Sequence, residues 1–264
     1  MADEPLSAVV VTFNEAERLP ECLQSLSFAD EILVVDSGST DETVAIAERF
    51  GARVIHQPWL GYGGQKRFAV AQARHEWVLC MDADERLSPE LRDSIRTVLE
   101  TPSKARACRL VRRNRFMGRW LRHGEGYPDY VIRLFDRRHA QWSEDPVHET
   151  VETNDAPVIT LHGDLLHHSE TDLQTYLAKQ NRYTSLQANI LHERGERVSI
   201  LKLLGSPLAR FLRFYVVRLG FLDGVPGLVH IAIGCFNSFS KYAKLMELNR
   251  LHSRKDDPYF SKDP

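Results

Sequence analysis

Two aspartates, Asp82 and Asp84, follow directly on an apolar run and are the residues whose chemistry is easiest to name. The run, residues 77–81 (WVLCM), is typical of a buried β-strand. Magnesium and manganese prefer oxygen ligands and often combine one or two carboxylates with substrate phosphates. The pair therefore predicts a site for Mg²⁺ or Mn²⁺ beside a phosphorylated ligand. The alternative, two acids that cap a helix on a surface loop, is disfavoured by their position directly after a strand.

Two further polar clusters follow predicted strands. Asn14 and Glu15 come after the run 6–13 (LSAVVVTF), and Asp36 comes after the run 31–35 (EILVV). Ligands of open parallel sheets bind beyond the carboxyl ends of the strands, so all three clusters should meet in space. This convergence is the main argument, from the residues alone, for a binding site.

The elements that would position these residues alternate between strand and helix. Apolar, β-branched runs predict strands at 6–13, 31–35, 53–56 and 77–81, and helical spacing predicts helices at 14–26, about 41–50, 65–73 and 88–99. Ser88 is the expected N-cap of the last helix, with Pro89 at its first position. Short connections between alternating elements indicate an α/β domain with a mainly parallel central sheet.

After residue 105 the pattern changes. Short strands are predicted at 106–113 and 130–135, and a helix at 172–193. Our domain boundaries are 1–195 for the α/β domain, 196–250 for an apolar and basic helical segment, and 251–264 for a polar tail.

Composition narrows the class of protein. With 264 residues, 43% hydrophobic and 27% charged, the chain is globular, and its net charge of −2 gives no sign of nucleic-acid binding. The four cysteines lie far apart and form no CxxC pair, which argues against a zinc or redox motif. The N-terminus lacks the features of a signal peptide, so we expect a protein of the cytoplasm or of the cytoplasmic face of a membrane.

Several segments together resemble the inverting family 2 glycosyltransferases, which have a GT-A fold. They are residues 9–26 (VVVTFNEAERLPECLQSL), 31–43 (EILVVDSGSTDET), 64–73 (GQKRFAVAQA) and 77–85 (WVLCMDADE). Residues 127–138 (YPDYVIRLFDRR), 144–149 (EDPVHE), 220–227 and 241–248 resemble more narrowly the branch that includes the lipopolysaccharide inner-core β-glucosyltransferases. The resemblance implies transfer of a sugar, glucose from UDP-glucose, onto a lipopolysaccharide-core or other lipid-linked saccharide acceptor.

The resemblance also implies roles for individual residues. The positions that would contact the nucleotide are Phe13, Asn14, Glu15 and Asp36 at the base and ribose, with Gln65 and Lys66 close by. Lys66 would be available to the diphosphate. Asp82 would contact the ribose or the metal, and Asp84 would ligate the Mg²⁺ or Mn²⁺. Arg67 stands where the family often has Asn, which leaves that nucleotide contact open.

An inverting transfer also needs a base, because the acceptor hydroxyl loses its proton as it attacks. The string 143–149 (SEDPVHE) supplies Glu144, Asp145 and Glu149. We favour Glu149, since the VHE letters resemble the narrower branch, with Asp145 as the second choice. His148 is either a third metal ligand, an orienting group for the base, or a structural histidine.

Two regions have the composition of partner-binding surfaces. Residues 112–123 combine arginines with aromatic residues, as in a groove for an acceptor that carries phosphate and carboxylate, or a solvated basic face. Residues 200–246 are apolar with six basic residues and one acid, and contain no convincing transmembrane span. We expect this segment to lie on an anionic membrane surface, and the alternative is a helix packed on the core or in a homo-oligomer interface.

Two other functions are compatible with parts of the sequence. A sugar nucleotidyltransferase would carry a Gly-rich basic loop after its first strand, where this chain has residues 12–15 (TFNE). A catalytically inactive membrane scaffold that binds a nucleotide-sugar would not need Asp82, Asp84 and Glu149, and a donor-hydrolysis assay would distinguish it.

Overall fold

A computed structural model describes residues 4–101, 104–143, 149–168 and 172–255, with side chains described as far as Leu251. The chain forms two compact units. The first comprises residues 1–114 and 128–169, and the second comprises residues 115–127 and 170–264.

Eleven strands are present in the described residues. They are β1 (Leu6–Thr12), β2 (Glu31–Asp36), β3 (Arg53–His56), β4 (Trp77–Asp82), β5 (Glu85–Leu87), β6 (Ala107–Phe116), β7 (Arg119–Trp120), β8 (Asp129–Asp136), β9 (Gln141–Trp142), β10 (Val151–Glu152) and β11 (Val158–His167). The helices of the first unit are α1 (Leu19–Ser25), α2 (Thr43–Arg49), α3 (Tyr62–Gln72) and α4 (Pro89–Glu100).

The central sheet has the order β3-β2-β1-β4-β8-β6-β11-β5. From β3 to β4 all pairs are parallel, with Val9 of β1 opposite Leu33 of β2 and Cys80 of β4. Strand β8 is antiparallel to both β4 and β6, whereas β6 and β11 are parallel. The expected parallel sheet is therefore confirmed for the half that carries the polar clusters, and the other half is mixed.

Helices cover the two faces of the sheet. Because side chains alternate along a strand, Ala8 and Val10 of β1 pack with Leu23 of α1 and Ile95 of α4 on one face. Val9 packs on the other face with residues of α3 and with Phe135 and Trp142. This two-sided burial explains why β1 is almost continuously apolar.

The local signals predicted most element positions correctly. Ser88 caps α4, since its Oγ accepts a hydrogen bond from the Leu91 N–H at 3.2 Å. Helix α1 begins at Leu19, five residues later than predicted, because the loop after β1 turns at Asn14. Strand β11 was not predicted, since its pairing with β6 shifts register between Thr160 and Asp164 and leaves no regular alternation of apolar residues.

The second unit is mainly helical. It contains α5 (Leu173–Glu193), α6 (Ile200–Phe211), a π-helical turn (Leu212–Val217), a 3₁₀ turn (Gly220–Asp223) and α7 (Gly224–Lys255). Our boundary at residue 195 assigned α5 to the first domain, whereas the structure groups it with the C-terminal helices. Lys244 of α7 donates to Asn181 and Thr184 of α5 at 2.7 and 2.8 Å, which ties these helices together.

No single helix in the described part of the chain is both long and apolar enough to cross a bilayer. The segments Ile200–Val217 and Gly220–Leu251 meet the length and hydropathy requirement only as a pair, and they are bent by 74° at the break between them.

Candidate active site

The loops that follow β1 and β2 are hydrogen-bonded to each other. Asn14 adopts a left-handed backbone conformation (φ 53°), which asparagine tolerates better than most residues. Its N–H donates to Ser39 Oγ at 2.8 Å, and its side-chain oxygen accepts from the Thr40 N–H at 2.8 Å. Glu15 N–H donates to Thr43 Oγ1 at 2.8 Å. Two of the three predicted polar clusters therefore meet in space.

The residues expected at the base and ribose differ in exposure. Phe13 is 55% exposed, as a residue that stacks on a ligand can be, whereas Asp36 is buried. The Asp36 carboxylate accepts hydrogen bonds from the N–H groups of Gly38 and Ser39 at 2.8 and 2.9 Å. It thus shapes the turn after β2, and its contact with a nucleotide stays a prediction.

Gln65 organises the segment that precedes α3. Its side chain is buried and donates from Nε2 to Ser37 Oγ and to the Gln57 carbonyl oxygen, both at 3.1 Å. Its Oε1 accepts from the Leu60 N–H at 3.3 Å. Gln65 therefore holds residues 57–60 against the loop after β2, and direct contact with a nucleotide stays a prediction.

Lys66 joins the two carboxylates that were expected to act on the donor and on the acceptor. Its Nζ lies 3.2 Å from Asp82 Oδ1 and 3.6 Å from Glu149 Oε1. The side chain is only 7% exposed and lies over the ring of Trp142, 4.8 Å from the ring centre. Asp82 and Glu149 are 67 residues apart in sequence and share one lysine in the fold.

A buried arginine that the sequence did not single out contacts the same aspartate. Arg133 of β8 donates from Nη2 to Asp82 Oδ2 at 2.6 Å and to Glu85 Oε1 at 2.8 Å. Burial would raise the pKa of Asp82, but the positive charges of Arg133, Lys66 and Arg112 outweigh it and hold this pKa well below its usual range. The available signal was a lone cation in the apolar run of β8, residues 131–135 (VIRLF).

Asp84 lies beside a histidine instead. Its Oδ2 is 3.2 Å from His167 Nε2, while His167 Nδ1 lies 2.6 Å from Asn114 Oδ1. His167 ends β11, so its position depends on a strand that the sequence did not predict. A carboxylate and an imidazole nitrogen are acceptable ligands for Mn²⁺, and the Asn114 contact would orient the ring.

The ligand set therefore fits a divalent cation at Asp84 better than at Asp82, whose two oxygens already face cations. In the part of the chain that the structure describes, no three His, Cys, Asp or Glu side chains are grouped as a complete metal site. Such an ion would need ligands from the substrate phosphates or from water. Asp145 and His148, together with Glu144, lie outside the described residues.

A cavity of about 220 Å³ opens beside Asp84, between α1 and the β4–β5 turn, and Cys22 is part of its lining. Burial, together with the negative charges of Glu85, Asp84 and Asp82, raises the pKa of the Cys22 thiol well above its usual range. This thiol therefore stays protonated near neutral pH and is unsuited to act as a nucleophile.

Arginines of the basic stretch are engaged within the first unit. Arg112 Nη2 lies 2.8 Å from Asp129 Oδ2, and Arg113 Nη1 lies 3.4 Å from Asp164 Oδ2. These ion pairs reduce the charge that the two arginines would offer to an acceptor. The acceptor groove stays a prediction.

A parallel half-sheet with an acidic turn after β4, a buried lysine and a downstream carboxylate is the arrangement of an α/β domain of the GT-A class. The family described as Glycosyl transferase family 2 matches residues 7–154, more than half of the chain. The chain belongs to glycosyl transferase family 2, as its sequence motifs predicted.

Relatives match over nearly the whole length. An uncharacterized glycosyltransferase of Rickettsia bellii is 34% identical over 255 residues, covering 92% of this chain and 87% of the relative. The lipopolysaccharide core biosynthesis glycosyltransferase LpsC of Rhizobium meliloti is 32% identical over 262 residues, covering 95% of both chains.

A solved structure confirms the fold. A mannosyltransferase from Pyrobaculum calidifontis, in complex with GDP-Man and Mn²⁺, superposes with a TM-score of 0.52 at 15% identity. The match covers 97% of this chain and 90% of that one. This likeness covers nearly the whole chain and confirms the GT-A fold that the resemblance implied.

Proposed function

We propose that this enzyme transfers glucose from UDP-glucose, with inversion at the anomeric carbon, onto a lipopolysaccharide-core or other lipid-linked saccharide. The observation that carries the proposal is the placement of Lys66 between Asp82 and Glu149. The printed role of the relative LpsC in lipopolysaccharide core biosynthesis supports the choice of acceptor.

The donor site is assigned to the joined loops after β1 and β2 and to the end of β4. Phe13, exposed beside Asn14, offers an aromatic face to the uracil. Lys66, 3.2 Å from Asp82 Oδ1, is assigned to the diphosphate, where its ammonium would offset negative charge. Asp82 presents its carboxylate to the ribose, held by two cations.

Asp84 and His167 are the residues that would hold a divalent cation, Mg²⁺ or Mn²⁺. Their ligand atoms lie 3.2 Å apart at the edge of the donor site. When bound, the ion would supply positive charge to the diphosphate leaving group. The Mn²⁺ in the mannosyltransferase structure agrees with this assignment.

Glu149 acts as the general base in this proposal. It accepts the proton of the acceptor hydroxyl while the hydroxyl oxygen bonds to the anomeric carbon and the bond from that carbon to the diphosphate breaks. The nucleoside diphosphate leaves with the bonding electrons. A single displacement of this kind inverts the anomeric configuration and needs only one carboxylate on the acceptor side.

The first experiment measures donor binding and transfer. Calorimetric titration of the protein with UDP-glucose should give saturable binding that is stronger with Mn²⁺ than with EDTA. Incubation with a lipopolysaccharide-core oligosaccharide should yield the β-linked glucosylated product, identified by NMR. Binding of UDP-glucose without hydrolysis or transfer to any tested core acceptor would favour the inactive scaffold, and an α-linked product would contradict inversion.

The proposal also places the second unit against a membrane. Residues 200–239 include large exposed apolar side chains on both arms of the bent helix pair. This C-terminal apolar surface consists of Ile200, Leu201, Leu204, Leu208, Leu212, Val216, Val217, Leu219, Phe221, Leu222, Val225, Leu228, Phe236 and Phe239. Large exposed apolar patches are typical of interaction sites.

The charges of this segment are arranged to leave the surface apolar. The exposed residues between 200 and 239 are apolar or glycine apart from Lys202 and Arg213. The one acid, Asp223, is buried and accepts from the N–H groups of Arg122 and His123 at 2.9 and 2.8 Å.

Three of the remaining basic residues are engaged by other groups of the second unit. Arg210 pairs with Glu125, Arg218 donates to the Tyr127 carbonyl at 3.4 Å, and Lys244 is bonded to α5. The six basic residues of the segment therefore present less charge to headgroups than the sequence suggested. Insertion of apolar side chains should dominate membrane binding, and salt should weaken it only modestly.

Vesicle flotation tests this placement. The full chain should float with phosphatidylglycerol-containing vesicles and lose little binding at high salt, whereas a Leu204→Gln/Leu208→Gln variant should remain in the soluble fraction. Leu186→Gln, an exposed leucine of α5 outside the apolar surface, serves as the matched control and should still float. If the wild-type protein instead forms a stable dimer that does not float, and Leu204→Gln/Leu208→Gln dissociates that dimer, the surface is a subunit contact.

A further inference from the structure

The strongest unassigned feature is the buried ion cluster behind Asp82. Arg133 is 4% exposed and the side chain of Glu85 is fully buried, whereas the Asp82 side chain is 29% exposed. The cluster thus has a closed end at Glu85 and an open end at Asp82. In the proposed function, this open end is the part of the cluster that meets the donor.

The hydrogen bonds fix the orientation of the Asp82 carboxylate. Arg133 Nη2 contacts Asp82 Oδ2 at 2.6 Å, and Lys66 Nζ contacts Oδ1 at 3.2 Å. Oδ2 also accepts from Lys66 Nζ at 3.5 Å, so two cations hold the carboxylate and its rotation would lengthen these charge-assisted contacts. Glu85 Oε2 also accepts the Asp82 N–H at 3.1 Å, which fixes the backbone at the same residue.

Stability alone does not explain an arginine here. Burying a guanidinium and two carboxylates carries a large desolvation cost, and apolar residues of similar volume often serve the fold equally well or better. The Nε of Arg133 is buried and has no hydrogen-bond partner among the described residues. The guanidinium therefore keeps its contacts with Asp82 and Glu85 although its own Nε–H group makes no hydrogen bond.

We propose that Arg133 is a positioning residue that, anchored by Glu85, holds Asp82 in the orientation that binds the nucleotide-sugar donor. The inference rests on the proposed function, in which Asp82 contacts the ribose. Arg133 itself lies behind Asp82 and makes no contact with the donor. Trp142, whose ring lies 5.6 Å from the Arg133 guanidinium and 4.8 Å from Lys66 Nζ, packs against both cations.

The test separates donor binding from stability by means of two variants. Arg133→Met should lower Tm, because it leaves Asp82 and Glu85 without their shared cation, and should weaken UDP-glucose binding roughly tenfold or more, the scale of one lost charge-assisted hydrogen bond. The double variant Arg133→Met/Glu85→Gln removes both charges, keeps a side-chain acceptor for the Asp82 N–H and should recover much of the Tm. Its UDP-glucose affinity should stay weak.

A matched control tests whether a loss of stability by itself weakens donor binding. Arg137 follows directly on β8, at the end of that strand opposite Asp129. It pairs with Glu76 at 3.3 Å and donates to the Ala73 carbonyl at 2.8 Å. Arg137→Met should lower Tm and leave the Kd for UDP-glucose unchanged in calorimetric titration with Mn²⁺.

Binding of UDP-glucose by the wild-type protein distinguishes a failure of the proposed function from a failure of the role of Arg133. If the wild-type protein does not bind UDP-glucose, the proposed function fails and the role of Arg133 with it. If the wild-type protein binds and the double variant binds equally tightly, the proposed function stands and Arg133 serves only the fold. Weak binding by a double variant with near-normal Tm supports the positioning role, including where Arg133→Met alone does not fold.

Discussion

Replacing Glu149 with glutamine removes a proton acceptor while keeping the size and shape of the side chain. The Glu149 carboxylate is 22% exposed and 3.6 Å from Lys66 Nζ, and Lys66 keeps its closer partner Asp82 at 3.2 Å. Because this contact is long and Lys66 keeps its closer partner, its loss should cost only about 1 kcal/mol of stability. For a protein of this size that corresponds to a fall in Tm of about 2–4 °C.

The effect on turnover should be far larger than the effect on stability. Loss of a general base typically costs roughly 10²–10⁴-fold in rate, which is about 2.7 kcal/mol or more in activation free energy. Initial rates of glucosyl transfer at saturating UDP-glucose measure this loss. The Kd for UDP-glucose, measured by calorimetry, should stay within a fewfold of wild type, because Glu149 acts on the acceptor side.

Glu152→Gln is the matched control, since Glu152 is an exposed acid on the strand that follows Glu149 and should be dispensable. Wild-type turnover in Glu149→Gln would refute the assignment. If Asp145→Asn instead loses turnover with donor binding intact, the base is Asp145, and if neither variant does so, the base lies elsewhere in the chain.

Three further changes test the metal site and the fold. Asp84→Asn should keep the Tm, because the residue lies on a turn, yet lose most Mn²⁺-dependent turnover; wild-type activity in Mg²⁺ or Mn²⁺ would contradict metal binding there. Burial tends to raise the pKa of Glu31, but hydrogen bonds from Ser7, Arg74 and Arg53 lower it overall. The resulting stability is present above the unfolded pKa of about 4.3 and is lost as the pH falls through the lower folded value. Glu31→Gln should therefore lower Tm at pH 7, with the difference from wild type shrinking in melts near pH 3. Gly163→Ala should strongly lower the free energy of unfolding measured in urea, since a Cβ there would overlap the Leu91 backbone and φ is 98°. Gly195→Ala, with φ 70° and open space around the Cβ, should cost only ~1–2 kcal/mol. Equal costs for the two variants would contradict the steric explanation.

The residues whose roles follow from their immediate neighbours in sequence were predictable. The apolar runs of β1, β2 and β4 set the strands, and Ser88 before Pro89 set the start of α4. Asp82 and Asp84 could be placed at a sheet edge because a parallel strand ends where its apolar run ends. These features depend on the spacing of apolar residues, on helix capping and on burial within a few residues of chain, so they can be predicted from the sequence alone.

Tertiary structure alone decided which side chains complete the site. Arg133 reaches Asp82 because β8 lies beside β4, and His167 reaches Asp84 because β11 runs beside β6. Glu149 meets Lys66 across 83 residues of chain. Strand order in a mixed sheet is fixed by long-range pairing, whose free energy comes from contacts between segments that no local pattern connects. The same reason explains the C-terminal segment, where the sequence shows six basic residues but the fold engages Arg210, Arg218 and Lys244 in ion pairs or hydrogen bonds.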